Sequence, residues 1–238
     1  MKALFICICC ALVIGAHAQD VVNKSYPAAH GQHVKLKFDY PGVKVSTWDK
    51  NEVAVTAHVN INDHENDSAF ELESSVVNGT IVISDHIKGL NSLPRRYTVV
   101  VNGKKMIYRN RADYQEATRK GGVEKAYESS DIDITIEVKV PAYCQTDINA
   151  VYGMVEMIGF NASVNVDATY GGIDATLNPA QTGKLKATTS YGQIYSNLDL
   201  KFTDHTEQDF FNSITAEPGK GPAYDFTSTY GRIYIRKP

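Results

Sequence analysis

Carboxylates at alternate positions of a strand are the pattern in this chain that most invites a chemical role. Asp131 and Asp133 share a face with Thr135 and Glu137, while Asp167 and Asp174 flank Tyr170. A glycosidase needs two carboxyl groups roughly 5–10 Å apart in a groove, one acting as acid and the other as base or nucleophile. Asp131, Asp133 and Asp174 are therefore the candidate acid/base residues of a polysaccharide lyase or hydrolase. The wet side of a half-buried strand carries the same alternation with no chemistry attached.

The other reactive residue types form no set. His30 and His33 lie in a polar lead, His58 on a strand, His64 and His86 near loops, and His205 in a polar excursion. None has the spacing of a zinc site or of a helical His-x-Glu-x-x-His pair. Cys144 has no Cys/His signature beside it and reads as a packed strand residue. Asp63, Glu65 and Asp67 alternate without the glycine and terminal glutamate of an EF-hand. Gly219-Lys220-Gly221 lacks the spacing of a phosphate loop, and no Gly-x-Ser-x-Gly elbow occurs. The sequence thus assigns no catalytic residue, no metal and no cofactor.

Charge excludes one further class. The 238 residues carry a formal net charge of −3 at pH 7. A nucleic-acid partner calls for a basic face, and none is present.

Residues 1–18 read as a signal peptide removed on export. Lys2 precedes an apolar run from Ala3 to Ile14, and Gly15-Ala16-His17-Ala18 gives a small-x-small cleavage ending before Gln19. Cys7, Cys9 and Cys10 leave with it, so Cys144 has no disulfide partner. No later stretch approaches the ~20 apolar residues of a membrane-spanning helix. The expected location is outside the cytoplasm: periplasm, cell surface or medium.

The elements that must position these residues are strands almost throughout. Val53–Ile61 and Asp131–Val140 alternate cleanly, the second with all its apolar residues on even positions. Asn78-Gly79 and Asn102-Gly103 each separate two β-prone runs and predict tight hairpins. The predicted organisation is an N-terminal strand region over 19–96, an insertion over 97–130, and a repeat region over 131–238. The insertion is a projecting hairpin plus a charged, mobile loop with one short helix near 112–119.

The repeat region contains four copies of one unit built on Tyr-Gly: Tyr152-Gly153, Tyr170-Gly171, Tyr191-Gly192 and Tyr230-Gly231. In each, an apolar or small residue stands four and two places before Tyr, and Val or Ile two places after Gly. The first two Tyr-to-Tyr intervals are close to twenty residues and the last is nearly double, which predicts an excursion over 204–223. The expected fold is all-β: a single-stranded right-handed β-helix, or β-solenoid, with coils of about twenty residues. Alternation puts Tyr on the same face as the apolar residues, and Gly reads as a corner residue of positive φ. Stacked coils align Tyr152, Tyr170, Tyr191 and Tyr230 in a ladder, which either packs the corner or presents a binding strip.

Val43-x-Val45-x-x-Trp48-Asp49-Lys50-x-x-Val53-x-Val55, the strand end Val140-Pro141 and the recurring Gly-x-Ile/Val together resemble the putative-adhesin domains of unknown function in exported bacterial proteins. That resemblance implies a β-helix or β-roll in the cell envelope. It leads to the expectation of a non-enzymatic adhesin-like module acting through the solenoid surface on a glycan or an envelope protein, with the four tyrosines as binding residues. The alternatives are the carbohydrate-active enzyme above and a purely structural envelope protein.

Overall fold

A computed structural model describes residues 20–238, so the predicted signal peptide and its three cysteines lie outside the described residues. Alternating apolar and polar residues fold as expected into short strands. β1 (Asp20–Pro27) precedes β2 (His33–Phe38) and β3 (Gly42–Trp48), which meet at a corner over residues 39–41, and β4 (Glu52–Ile61) follows. β5 (Phe70–Val77) and β6 (Thr80–Ile87) are joined by Asn78-Gly79, whose φ values of 50° and 80° suit these two residue types.

β7 (Arg96–Val101) and β8 (Lys104–Tyr108) turn through Asn102-Gly103 in the same way. α1 (Arg111–Arg119) comes next, capped by the Asn110 side chain accepting from the Asp113 amide, then β9 (Val123–Ser129). The short helix stands where the sequence placed it, but the rest of the expected mobile loop is a third strand. β9 pairs with β7, giving a small sheet of order β8-β7-β9. β9 carries almost no buried residue, so its sequence lacks the alternation that marks half-buried strands.

β10 (Ile132–Pro141) returns the chain to the main body. Corner-linked pairs follow: β11 (Thr146–Ala150) with β12 (Val155–Ile158), β13 (Val164–Ala168) with β14 (Ile173–Thr176), and β15 (Lys184–Thr189) with β16 (Ile194–Ser196). The excursion is the hairpin β17 (Phe202–Gln208) and β18 (Phe211–Ala216). A last pair, β19 (Ala223–Ser228) and β20 (Ile233–Arg236), ends the chain.

Two large open sheets contain these strands, in the orders β1-β4-β10-β3-β12-β14-β20-β16 and β17-β18-β15-β19-β13-β11-β2-β6-β5. Each corner pair gives one strand to each sheet, forming a rung, and equivalent strands of neighbouring rungs pair in parallel. Inward residues therefore stand in columns. One is Leu36, Ile148, Val166, Phe226 and Ala187; its counterpart across the core is Val43, Val155, Ile173, Ile233 and Ile194. All but the half-buried Ile194 are 2% exposed or less. Burial of a large aliphatic side chain is worth about 1.5–3 kcal/mol, so these columns are the main stabilising feature of the stack.

The rungs do not stack in chain order. β19/β20 lies between β13/β14 and β15/β16, and antiparallel strands flank the stack, so the sheets are mixed. A single coil wound rung upon rung would have placed β15/β16 next to β13/β14. The hairpin β17–β18 accounts for the difference: it extends the second sheet beyond β15, and the chain then returns to fill the gap left behind.

A polar hub ties the small sheet to the body. Asn62, fully buried with φ 57°, donates from Nδ2 to Asn66 Oδ1 and to the Pro94 carbonyl, each at 2.8 Å, and accepts from the Asp131 amide at 2.9 Å. Arg96, 4% exposed, donates to the Asn62 carbonyl at 3.2 Å and to Glu65. Asp67 accepts from the Ile61 amide and meets His64 Nδ1, both at 2.6 Å. Asn62, Asp63 and His64 all have positive φ, a backbone path that this bonding holds in place.

Candidate functional site: an exposed aromatic ridge

Each strand of the second sheet ends two residues before its tyrosine, so the corner swings that side chain away from the core. Tyr152, Tyr170, Tyr191 and Tyr230 are 55%, 54%, 58% and 50% exposed. Alternation put them on the same strand face as the apolar residues and left packing or display open; it does not carry through the corner, because each strand stops short of its tyrosine.

Their rings form one continuous stack, in the order Tyr152, Tyr170, Tyr230, Tyr191. Centroids are 5.2, 5.1 and 5.0 Å apart and interplanar angles are 7°, 7° and 12°. Two residues extend it. Tyr40 stacks on Tyr152 at 5.3 Å, and Phe210, in the β17–β18 turn, tilts at 47° against Tyr191. The ladder therefore has six rings and spans every rung.

Two backbone features set this spacing. Corner amides continue the parallel ladder: Tyr152 N donates to the Asp39 carbonyl at 2.9 Å, Tyr170 N to Val151 at 2.7 Å, Tyr230 N to Thr169 at 2.9 Å and Tyr191 N to Thr229 at 2.8 Å. The glycine after each tyrosine has no positive φ, contrary to expectation. It is required by the backbone of the adjoining rung. A Cβ on Gly153, Gly171, Gly231 or Gly192 would lie 1.7, 1.9, 2.0 or 2.0 Å from the carbonyl oxygen of Pro41, Gly153, Gly171 or Gly231. Any side chain here would push the rungs apart and separate the rings.

Tyr40 carries a signal that the Tyr-Gly repeat hid. Leu36-x-Phe38-x-Tyr40 has the repeat's alternation, but Pro41 stands where the other units have glycine. As the end of the glycine column, Pro41 receives the close approach instead of making it. Burial, and secondarily the Tyr152 hydroxyl, raise the Tyr40 pKa above the usual phenol range.

Asp131 and Asp133, two residues apart at the start of β10, both lie near the Lys105 ammonium, and Asp174 does not join them. Asp131 is bound to Lys105 Nζ at 2.9 Å near the small sheet, and Asp174 to Arg236 Nε at 2.7 Å. Asp133 is on β10 and Asp174 on β14, with β3 and β12 between them. Three strand spacings of ~4.8 Å put their backbones about 14 Å apart, and Asp174 is turned to Arg236 on the strand farther from β10, away from the pairing that glycoside hydrolysis uses. Asp167 lies on the other large sheet from Asp174.

The remaining candidates have structural surroundings. Cys144 is fully buried, and burial raises its thiol pKa, so little thiolate forms. His30 stacks on Tyr143 at 3.9 Å, and His33 Nε2 lies 3.1 Å from Asp147 Oδ2. Among the described residues no group of three or more His, Cys, Asp or Glu side chains is placed to hold a metal. No helix among them is long and apolar enough to cross a membrane.

Comparison with known proteins bears on the fold. No family model matches the sequence, and no curated protein does. Among solved structures the chain is similar to a putative cell adhesion protein from Clostridium sporogenes, with 11% identity, 93% of this chain and 100% of that one covered, and a TM-score of 0.50. A putative adhesin from Parabacteroides distasonis aligns over 92% of this chain and 98% of its own at 10% identity, with a TM-score of 0.30, too low to carry an argument. At such identities the first likeness supports a shared all-β architecture alone.

Proposed function

We propose that this chain is a non-enzymatic, exported adhesion module of the cell envelope that binds through its aromatic ridge. The carrying observation is the ladder itself, with four tyrosines at least half exposed and held in line by a glycine column. A ridge that served packing alone would have no need of so much exposed aromatic surface, and such surface is characteristic of recognition sites. The adhesion label borrowed from the Clostridium sporogenes neighbour, and the signal-like sequence of residues 1–18, are in keeping with this role. The rungs themselves we read as a right-handed solenoid, the hand that crossovers between parallel strands of one sheet nearly always take.

The stacking geometry favours a protein partner over a glycan. Sugar rings bind aromatic side chains face to face, but each inner ring here already has both faces against its neighbours. What the ridge offers is ring edges and phenol hydroxyls at a regular step, suited to the mixed polar and apolar surface of a protein.

The test is capture of envelope proteins on immobilised protein beside a glycan array, using wild type and a variant with serine at Tyr152, Tyr170, Tyr230 and Tyr191 that circular dichroism shows to be folded; if it is unfolded, Phe210→Glu, which keeps the four-tyrosine stack, takes its place. Capture of a protein that the variant loses supports the proposal. Capture unchanged by the variant, or hydrolysis of a polysaccharide by the wild type, overturns it.

A further inference from the structure

We infer that the partner seated on the aromatic ridge is a second copy of this chain, related by a two-fold axis that crosses the ladder between Tyr170 and Tyr230. This rests on the ridge being a binding surface, and it names the occupant.

Three observations point there. The first is period. The ladder repeats at 5.0–5.3 Å because parallel rungs set it, and a second ladder is commensurate with it over its full length. A partner with an unrelated surface would match one or two rings; an identical ridge matches all of them, as in the interlocking of identical side chains between stacked sheets.

The second is symmetry. Six rings in the order Tyr40, Tyr152, Tyr170, Tyr230, Tyr191, Phe210 have their midpoint between the third and fourth. A two-fold axis there sets Tyr170 of one protomer beside Tyr230 of its partner, Tyr152 beside Tyr191, and Tyr40 beside Phe210. The patch is then its own complement, as the interface of a two-fold dimer must be.

The third is area and composition. The four tyrosines are 50–58% exposed and Phe210 is 68% exposed. Taking ~200 Å² per aromatic side chain, five such rings offer about 550 Å². Met154, two residues beyond Tyr152 and 43% exposed, flanks the corner in a column that also holds the exposed Arg232. About 550 Å² from each of two copies passes the ~1,000 Å² total that a specific interface needs, below the ~1,600 Å² of a standard one. The ridge residues are Tyr and Phe, types enriched at interface centres, with Arg232 a charge at the flank.

The test is sedimentation velocity on the full chain across a concentration series. The expected result is a reversible dimer with a dissociation constant on the order of micromolar. Phe210→Glu and Met154→Glu leave the four-tyrosine stack intact, so their folding is checked simply by circular dichroism; each is expected to weaken dimerisation at least ~10-fold by placing an unpaired charge in the contact. Tyr170→Phe, which keeps the ring, is expected to dimerise. A wild type that stays monomeric throughout, or a dimer indifferent to both Glu variants, overturns the inference. If the wild type is monomeric while serine at the ladder still abolishes capture of an envelope protein, the second copy is excluded and the adhesion role stands.

Discussion

Tyr170 stacks on Tyr230 and not on Tyr191, the next corner tyrosine along the chain, with ring centroids 5.1 Å apart and 7° between planes. The cause is the insertion of β19/β20 between β13/β14 and β15/β16. Each inner ring consequently has an aromatic neighbour on both sides, which gives an exposed residue an uncommon share in stability.

Replacing Tyr170 with serine removes two stacked contacts, each worth about 0.5–1.5 kcal/mol beyond area burial. The expected loss is about 1–3 kcal/mol in urea unfolding, large for a side chain that is 54% exposed. Phe210→Ser removes one tilted contact at the end of the ladder and is expected to cost less than half as much.

Gly171→Ala and Gly103→Ala separate two uses of glycine. A Cβ on Gly171 meets the Gly153 carbonyl oxygen at 1.9 Å, so the rungs must part; a loss of at least ~3 kcal/mol, or failure to fold, is expected. Gly103 has open space around it but φ of 72°, and alanine there is expected to cost only about 1–2 kcal/mol with the fold intact. Equal effects would refute the close-approach account.

Asn62→Ala removes three side-chain hydrogen bonds, to Asn66, Pro94 and Asp131, and puts alanine at φ 57°. At about 1 kcal/mol for each bond, the expected loss is about 3–4 kcal/mol. Hydrogen exchange should show it as faster exchange in β7–β9, with the rungs from β11 to β14 little changed.

Asp85 links stability to pH in the direction opposite to most carboxylates. Burial raises its pKa, although Oδ1 accepts from the Asp39 amide at 2.8 Å, and Oδ2 is buried with no partner. The native state holds this proton more tightly than the unfolded chain, so stability falls as pH rises from the unfolded carboxylate value near ~4 through the raised folded value. Asp85→Asn cannot ionise. Its stability relative to wild type is therefore expected to increase between pH 4 and pH 7, read from urea midpoints. A pH-independent difference would show that folding does not raise the Asp85 pKa.

Strands and tight turns were legible in the sequence where one face is buried, since alternation and Asn-Gly report that directly. β9, exposed along nearly its whole length, left no such trace. The aligned tyrosines follow from their shared position in the repeat. Their outward direction does not, because it depends on each strand ending at Ala150, Ala168, Thr189 or Ser228. Nor does the order of the rungs, since local pattern is the same for neighbours in sequence and neighbours in space. Tyr40 was missed because Pro41 replaces the glycine that marks the other units.

The out-of-order rung constrains how the molecule is assembled. While residues 223–236 are still being synthesised, β13 and β15 have no common neighbour, and the slot between them must stay vacant or close wrongly. Completion therefore waits for residues 223–236, a long-range closure of the kind that makes β-proteins slow to mature. A chain that cannot finish early keeps the facing edges of β13 and β15 unpaired for longer, with a correspondingly longer exposure to wrong partners.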